Sequence, residues 1–162
     1  MVDLTNYCKT IQHAEKHGNK EMADCKAILF DMNDGGFVSS LGKKYGQACQ
    51  VDYIEMIENR VILIELKDLK EQLKNKTSKD ILNNLGKKYT KSIEIIQEHI
   101  IQNAVPILYY VVVKNDTEIV VWDNLFSIKD IKIKFENTSF EICETNKICE
   151  KLSTLNTRLC QE

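Results

Sequence analysis

The stretch Arg60-Val-Ile-Leu-Ile-Glu-Leu-Lys67 constrains this chain more than any other, together with Val51-Asp-Tyr-Ile-Glu-Met-Ile57 and the pair Glu58-Asn59 before it. Val61 to Ile64 is apolar at every position, a pattern that suits a strand covered on both faces. A sheet with a layer on each side is therefore expected. The run ends in Glu65 and Lys67, which share a face because side-chain direction alternates with period two. A carboxylate and an ammonium then stand side by side at the end of a core strand. With Glu58-Asn59 as a tight turn, pairing Ile57 with Arg60 sets Asp52 opposite Glu65.

Two carboxylates facing each other across a ladder repel unless positive charge lies between them, and a hard divalent cation held by oxygen atoms answers that need. Lys67 borders the same position. These residue types suit phosphodiester hydrolysis. A divalent ion neutralises the phosphate and acidifies a water, while the lysine orients that water or offsets developing negative charge. The alternative is an exposed Glu65–Lys67 ion pair at a strand end, worth about 0–1 kcal/mol.

Periodicity supplies the surroundings. Leu4, Cys8, Ile11 and Ala14 recur at helical spacing, as do Met22, Cys25, Ile28 and Leu29, so two helices are expected before the turn at Asn33-Asp-Gly-Gly36. Phe37-Val-Ser-Ser40, Gln50 to Ile57 and Arg60 to Asp68 read as three successive strands. Ile81, Leu85, Tyr89, Ile93, Ile96 and Ile100 form the stripe of a long helix over about 78–103, with Ser78 as its N-cap. Strands follow at Val105 to Val113 and Glu118 to Trp122, with weaker ones at Ile131 to Phe135 and Ser139 to Cys143. Ile148, Leu152, Leu155 and Leu159 mark a closing helix. No linker interrupts 162 residues that are 43% hydrophobic and 28% charged, so residues 1–162 are expected to form a single domain.

At this level the sequence resembles the PD-(D/E)XK nucleases, the restriction-endonuclease-like fold, through Asp52 and Glu65-x-Lys67 after an apolar strand. The resemblance implies an α/β core of order αβββαβ, a mixed central sheet flanked by helices, here with C-terminal additions. It implies an Mg²⁺- or Mn²⁺-dependent nuclease acting on DNA or RNA, with Asp52, Glu65 and Lys67 as catalytic residues. Asp52, Glu65 and the backbone carbonyl of Leu66 would hold the metal. Val51 stands where the family often has proline. The glutamate often contributed by a first helix has two counterparts, Glu15 and Glu21, and His13 is a further ligand candidate because some viral relatives use an early histidine. His13 and His17 lie four apart on that expected helix. A catalytically inactive binding or interaction module of the same fold, an accessory subunit or inhibitor, is the second reading.

The net charge of −2 excludes a polyanion binder by bulk electrostatics. Locally the balance differs: from Lys67 to Lys91 eight lysines face three acidic residues. Lys70, Lys74, Lys76, Lys87, Lys88 and Lys91 are therefore candidate nucleic-acid contacts. Cys143, Cys149 and Cys160 lie six and eleven residues apart, unlike the close spacing of iron–sulfur nucleases, so no cluster is expected. The six cysteines read as reduced thiols, and a thiol-based metal or redox protein is a third reading. The apolar runs fall short of the roughly 20 residues that span a bilayer. The N-terminal residues lack a leader pattern, so a soluble, intracellular (cytoplasmic) protein without membrane partners is expected. Many proteins of this fold are dimers, and the C-terminal apolar stripe suits either a core or a homodimer contact.

Overall fold

The computed structural model describes residues 2–14, 20–33, 35–45, 49–118, 135 and 137–161. Glu15, His17 and most of the expected strands at Glu118 to Trp122 and Ile131 to Phe135 lie outside them. Among the described residues six strands form one mixed sheet in sequential order. They are β1 (Cys8–Gln12), β2 (Met22–Leu29), β3 (Tyr53–Ile57), β4 (Arg60–Lys67), β5 (Val105–Val113) and β6 (Ser139–Glu144). β1 to β4 are antiparallel neighbours, whereas β5 lies parallel to β4 and β6 parallel to β5. The helices are α1 (Phe37–Ser40), α2 (Leu69–Gln72), α3 (Ser78–His99) and α4 (Thr145–Ser153).

The sheet is covered on both faces, as the Val61 to Ile64 run requires. Val61 and Leu63 face a core built with Ile81, Leu85, Ile95 and Ile96 of α3. Ile62 and Ile64 face the opposite core, with Ile148 and Leu152 of α4. α3 is capped by Thr77, one residue before the expected cap Ser78, which is instead the first residue of the helix. Thr77 Oγ1 accepts the Asp80 amide at 3.1 Å while Asp80 Oδ2 accepts the Thr77 amide at 3.2 Å, a reciprocal capping box. The helix ends at His99. Pro106 sits inside β5, where the β4–β5 register slips between Val61 and Ile62, as suits a residue with no N–H to donate.

The N-terminal region departs from expectation. The two expected helices are the strands β1 and β2, and the expected strand at Phe37-Val-Ser-Ser40 is the one-turn helix α1. Ala23, Cys25 and Ala27 are turned inward while Met22, Asp24 and Lys26 are exposed or outward, a period-two pattern that the spacing of Met22, Cys25 and Ile28 masks. Pairing with β3 overrides a weak helical periodicity. The meander is therefore β2–β3–β4, and a strand rather than a helix precedes it.

The reading of the cysteines as reduced thiols is also corrected. Cys8 is bonded to Cys160 and Cys25 to Cys149, each pair with Cα atoms 5.6 Å apart. One disulfide ties β1 to the C-terminal segment and the other ties β2 to α4. Cys49 and Cys143 are unpaired. The C-terminal segment is held further by Glu55, fully buried on β3. Its carboxylate accepts from Arg158 at 2.8 Å and from the amides of Leu159 and Cys160. No described helix is long and apolar enough to cross a membrane.

Candidate functional site

The β3–β4 ladder pairs Ile57 with Arg60 and continues outward to Tyr53 with Ile64. The next position brings Asp52 against Glu65. Asp52 Oδ2 accepts the amide of Leu66 at 2.8 Å, and the Asp52 carbonyl accepts the amide of Phe30 at 2.9 Å. Three neighbouring segments thus deliver carboxylates to one place: Asp31 just past β2, Asp52 just before β3, and Glu65 near the end of β4. Glu65 and Lys67 follow Val61 and Leu63 in phase, so they face α3.

Glu65 is buried, with a side chain only 2% exposed. Its Oε1 lies 2.7 Å from Lys88 Nζ of α3 and 3.8 Å from Lys67 Nζ. Oε2 is buried and has no hydrogen-bond partner. Lys67 donates to Asn84 Oδ1 at 3.1 Å. An exposed Glu65–Lys67 ion pair is therefore excluded; both groups are desolvated. Burial, reinforced by the Asp52 charge, pushes the Glu65 carboxyl up to about 8 despite the two lysines. Burial likewise raises Asp31 to about 7, opposed by the Asn33 amide and reinforced by the adjoining Asp52 carboxylate. Burial lowers Lys67 below the usual lysine value. For Lys88 burial acts in the same sense, but Glu65 and Asp52 outweigh it and hold its ammonium above the ordinary value.

These groups form the floor of a cleft of about 770 Å³ walled on the hairpin side by Lys9, Gln12, His13 and Lys20. A smaller hollow of about 380 Å³ shares His13, Leu66 and Gln72 with it and adds Lys76 and Lys114. His13 reaches the cleft wall, with Nε2 2.9 Å from Thr145 Oγ1. Glu21 does not join the cleft floor. It stands just before β2, and its carboxylate accepts from Thr145 Oγ1 and from the Asn115 amide.

The six basic candidates separate. Lys88 belongs to the carboxylate cluster and Lys76 to the smaller hollow. Lys87 and Lys91 line a groove beside Cys49. Lys74 pairs with Glu71 and Lys91 with Glu94, while Lys70 is exposed.

Sequence reasoning missed Asp31 and Asn84, and gave Lys88 a different role. Asp31 follows from reading Met22–Leu29 as a strand, because the meander's ends then gather it with Asp52 and Glu65. Asn84 and Lys88 lie four apart on α3, which gives them one face.

Among the described residues no group of three or more His, Cys, Asp or Glu stands ready-made as a metal cage. The donor chemistry nonetheless suits a hard divalent ion. Glu65 Oε2 is an orphaned buried oxygen, the Asp52 carboxylate acts on Glu65, and Asp31, on the same cleft, adjoins Asp52. Without such an ion the positive charge at Glu65 comes from Lys88 and Lys67. Comparison of the chain with protein-family models, with curated proteins and with solved structures finds no match.

Proposed function

We propose that this chain is a metal-dependent nuclease with a restriction-endonuclease-like core, hydrolysing phosphodiester bonds of DNA or RNA. The observation that carries the reading is Glu65, buried with one unpartnered oxygen, opposed to Asp52 and with Lys67 Nζ 3.8 Å away at the floor of an open cleft. The element order supports it: an antiparallel meander β2–β3–β4, a crossover helix α3, and β5 parallel to β4.

In this reading Asp52 and Glu65, with Asp31 and the Leu66 carbonyl beside them, hold Mg²⁺ or Mn²⁺. When bound, the ion supplies phosphate charge neutralisation and activation of a water. Lys67 is the group that handles the proton or the developing charge at Nζ. Its desolvation weakens its hold on a proton, and Asn84 fixes the direction of Nζ. Lys88 balances the carboxylates. The hairpin lysines Lys9 and Lys20 at the cleft wall are placed to meet a phosphate backbone.

The test is cleavage of plasmid, single-stranded DNA and RNA with Mn²⁺ or Mg²⁺ by the full chain and by Lys67→Ala. Cleavage lost in a variant that keeps its circular dichroism supports the reading. A wild-type protein inert on all three substrates with both ions overturns it.

The second reading, an inactive interaction module, draws on the internal satisfaction of the cluster: Lys88 already neutralises Glu65, and Asp52 is engaged by the Leu66 amide. It expects no heat of divalent-ion binding that is lost on Asp52→Asn.

A further inference from the structure

The two lysines at Glu65 are anchored differently. Lys67 Nζ has a neutral acceptor of its own, Asn84 Oδ1 at 3.1 Å, and stands 3.8 Å from Glu65 Oε1. Lys88 Nζ instead makes its hydrogen bond to that carboxylate oxygen, at 2.7 Å. An ammonium at this distance is the natural occupant of a buried carboxylate that would otherwise be unneutralised. The charge on Lys88 is therefore committed to Glu65, whereas Lys67 remains tethered if Glu65 is given another cation.

We infer that Lys88 is a resident counter-cation that competes with the divalent ion for Glu65 and is released into the cleft when the ion binds. This rests on the metal-binding reading above. A doubly charged ion at Glu65 and Asp52 neutralises the carboxylate and repels an ammonium held within a few ångströms. The Lys88 side chain is flexible, projects from one face of α3 and lines the cleft, so it has somewhere to go. Lys67 keeps its bond to Asn84 and its place. Released, the Lys88 ammonium faces the volume that a polyanionic substrate would fill, and the same displacement that admits the ion supplies a cation for a phosphate oxygen. Ion and substrate binding are then coupled through one side chain, and by linkage each strengthens the other.

Two measurements on the full chain test this. In calorimetric titration with Mn²⁺ alone, Lys88→Met is expected to bind about tenfold tighter than wild type, because the competitor is gone. Unchanged or weaker binding by the folded variant overturns the inference. On wild-type protein, which removes any question of whether the variant folds, brief acetylation read by mass spectrometry is expected to modify Lys88 several-fold faster with saturating Mn²⁺ than without. Equal or slower modification overturns it. Failure of this inference leaves the nuclease reading standing if Mn²⁺ still binds wild type and is lost on Asp52→Asn. Absence of Mn²⁺ binding in wild type removes both.

Discussion

Asp52 accepts a hydrogen bond from the backbone amide of Leu66 at 2.8 Å, across the open end of the β3–β4 hairpin. The contact fixes an acidic side chain at the place where the ladder stops and the cleft begins. Asp52 also faces Asp31 and raises both Asp31 and Glu65 by its charge.

Asp52→Asn keeps an acceptor for the Leu66 amide but removes that charge. Divalent-ion binding is expected to disappear in calorimetry. The ion-free protein is expected to melt at the same temperature as wild type or higher, because a repulsive carboxylate has gone. A large loss of melting temperature would mean that Asp52 serves the fold instead.

Folded Asp31 at about 7 and Glu65 at about 8 both stand above the ordinary carboxylate range. Their contribution to stability is therefore complete below about pH 4, where the unfolded chain is also protonated, and is lost progressively as pH rises from there to the folded values of about 7 and about 8. Urea titrations of metal-free protein should show stability falling across this interval. Mn²⁺ should offset the fall, increasingly so at the alkaline end. In Asp52→Asn the interval should move to lower pH, since burial persists but the repulsion does not.

Arg158 is 8% exposed and Glu55 is fully buried, with 2.8 Å between the guanidinium and the carboxylate. Arg158→Met leaves a buried carboxylate supported by amides alone, a change expected to cost about 3–5 kcal/mol in urea denaturation. The change lies on the sheet face opposite Glu65, so Mn²⁺ affinity of the folded protein should be unaltered.

Reduction opens the Cys8–Cys160 and Cys25–Cys149 links, which close loops of 152 and 124 residues in sequence separation. Each is expected to contribute about 2–4 kcal/mol, so dithiothreitol should lower the urea midpoint markedly. Before reduction, a thiol reagent should label Cys49 and spare the four paired cysteines. Disulfides persist in oxidising compartments, in contrast to the reduced thiols expected from the sequence.

In the nuclease reading Asn84 acts through Lys67, whose Nζ it holds by a hydrogen bond of 3.1 Å. Asn84→Leu is expected to lower kcat by about 10–100-fold with little change in KM, and to displace the pH limb set by Lys67, because Nζ loses its fixed direction. An unchanged pH profile would leave Asn84 a merely structural role.

Part of the site follows from local rules of strand geometry alone. Alternation puts Glu65 and Lys67 on one face, and a two-residue turn at Glu58-Asn59 fixes Asp52 against Glu65, so both follow from counting. The Val61 to Ile64 run likewise required a sheet covered twice, and α3 and β5 were legible from their periods. Tertiary structure decided the rest. β1 and β2 carry a helical spacing that pairing with β3 overrules, and only that pairing brings Asp31 to the cluster. The disulfides join cysteines more than a hundred positions apart, a proximity no spacing encodes. Lys88 could be read as a surface cation until α3 docked on the sheet and turned it onto a buried carboxylate. Contacts between elements distant in sequence depend on how those elements pack, and packing is settled by the whole core at once.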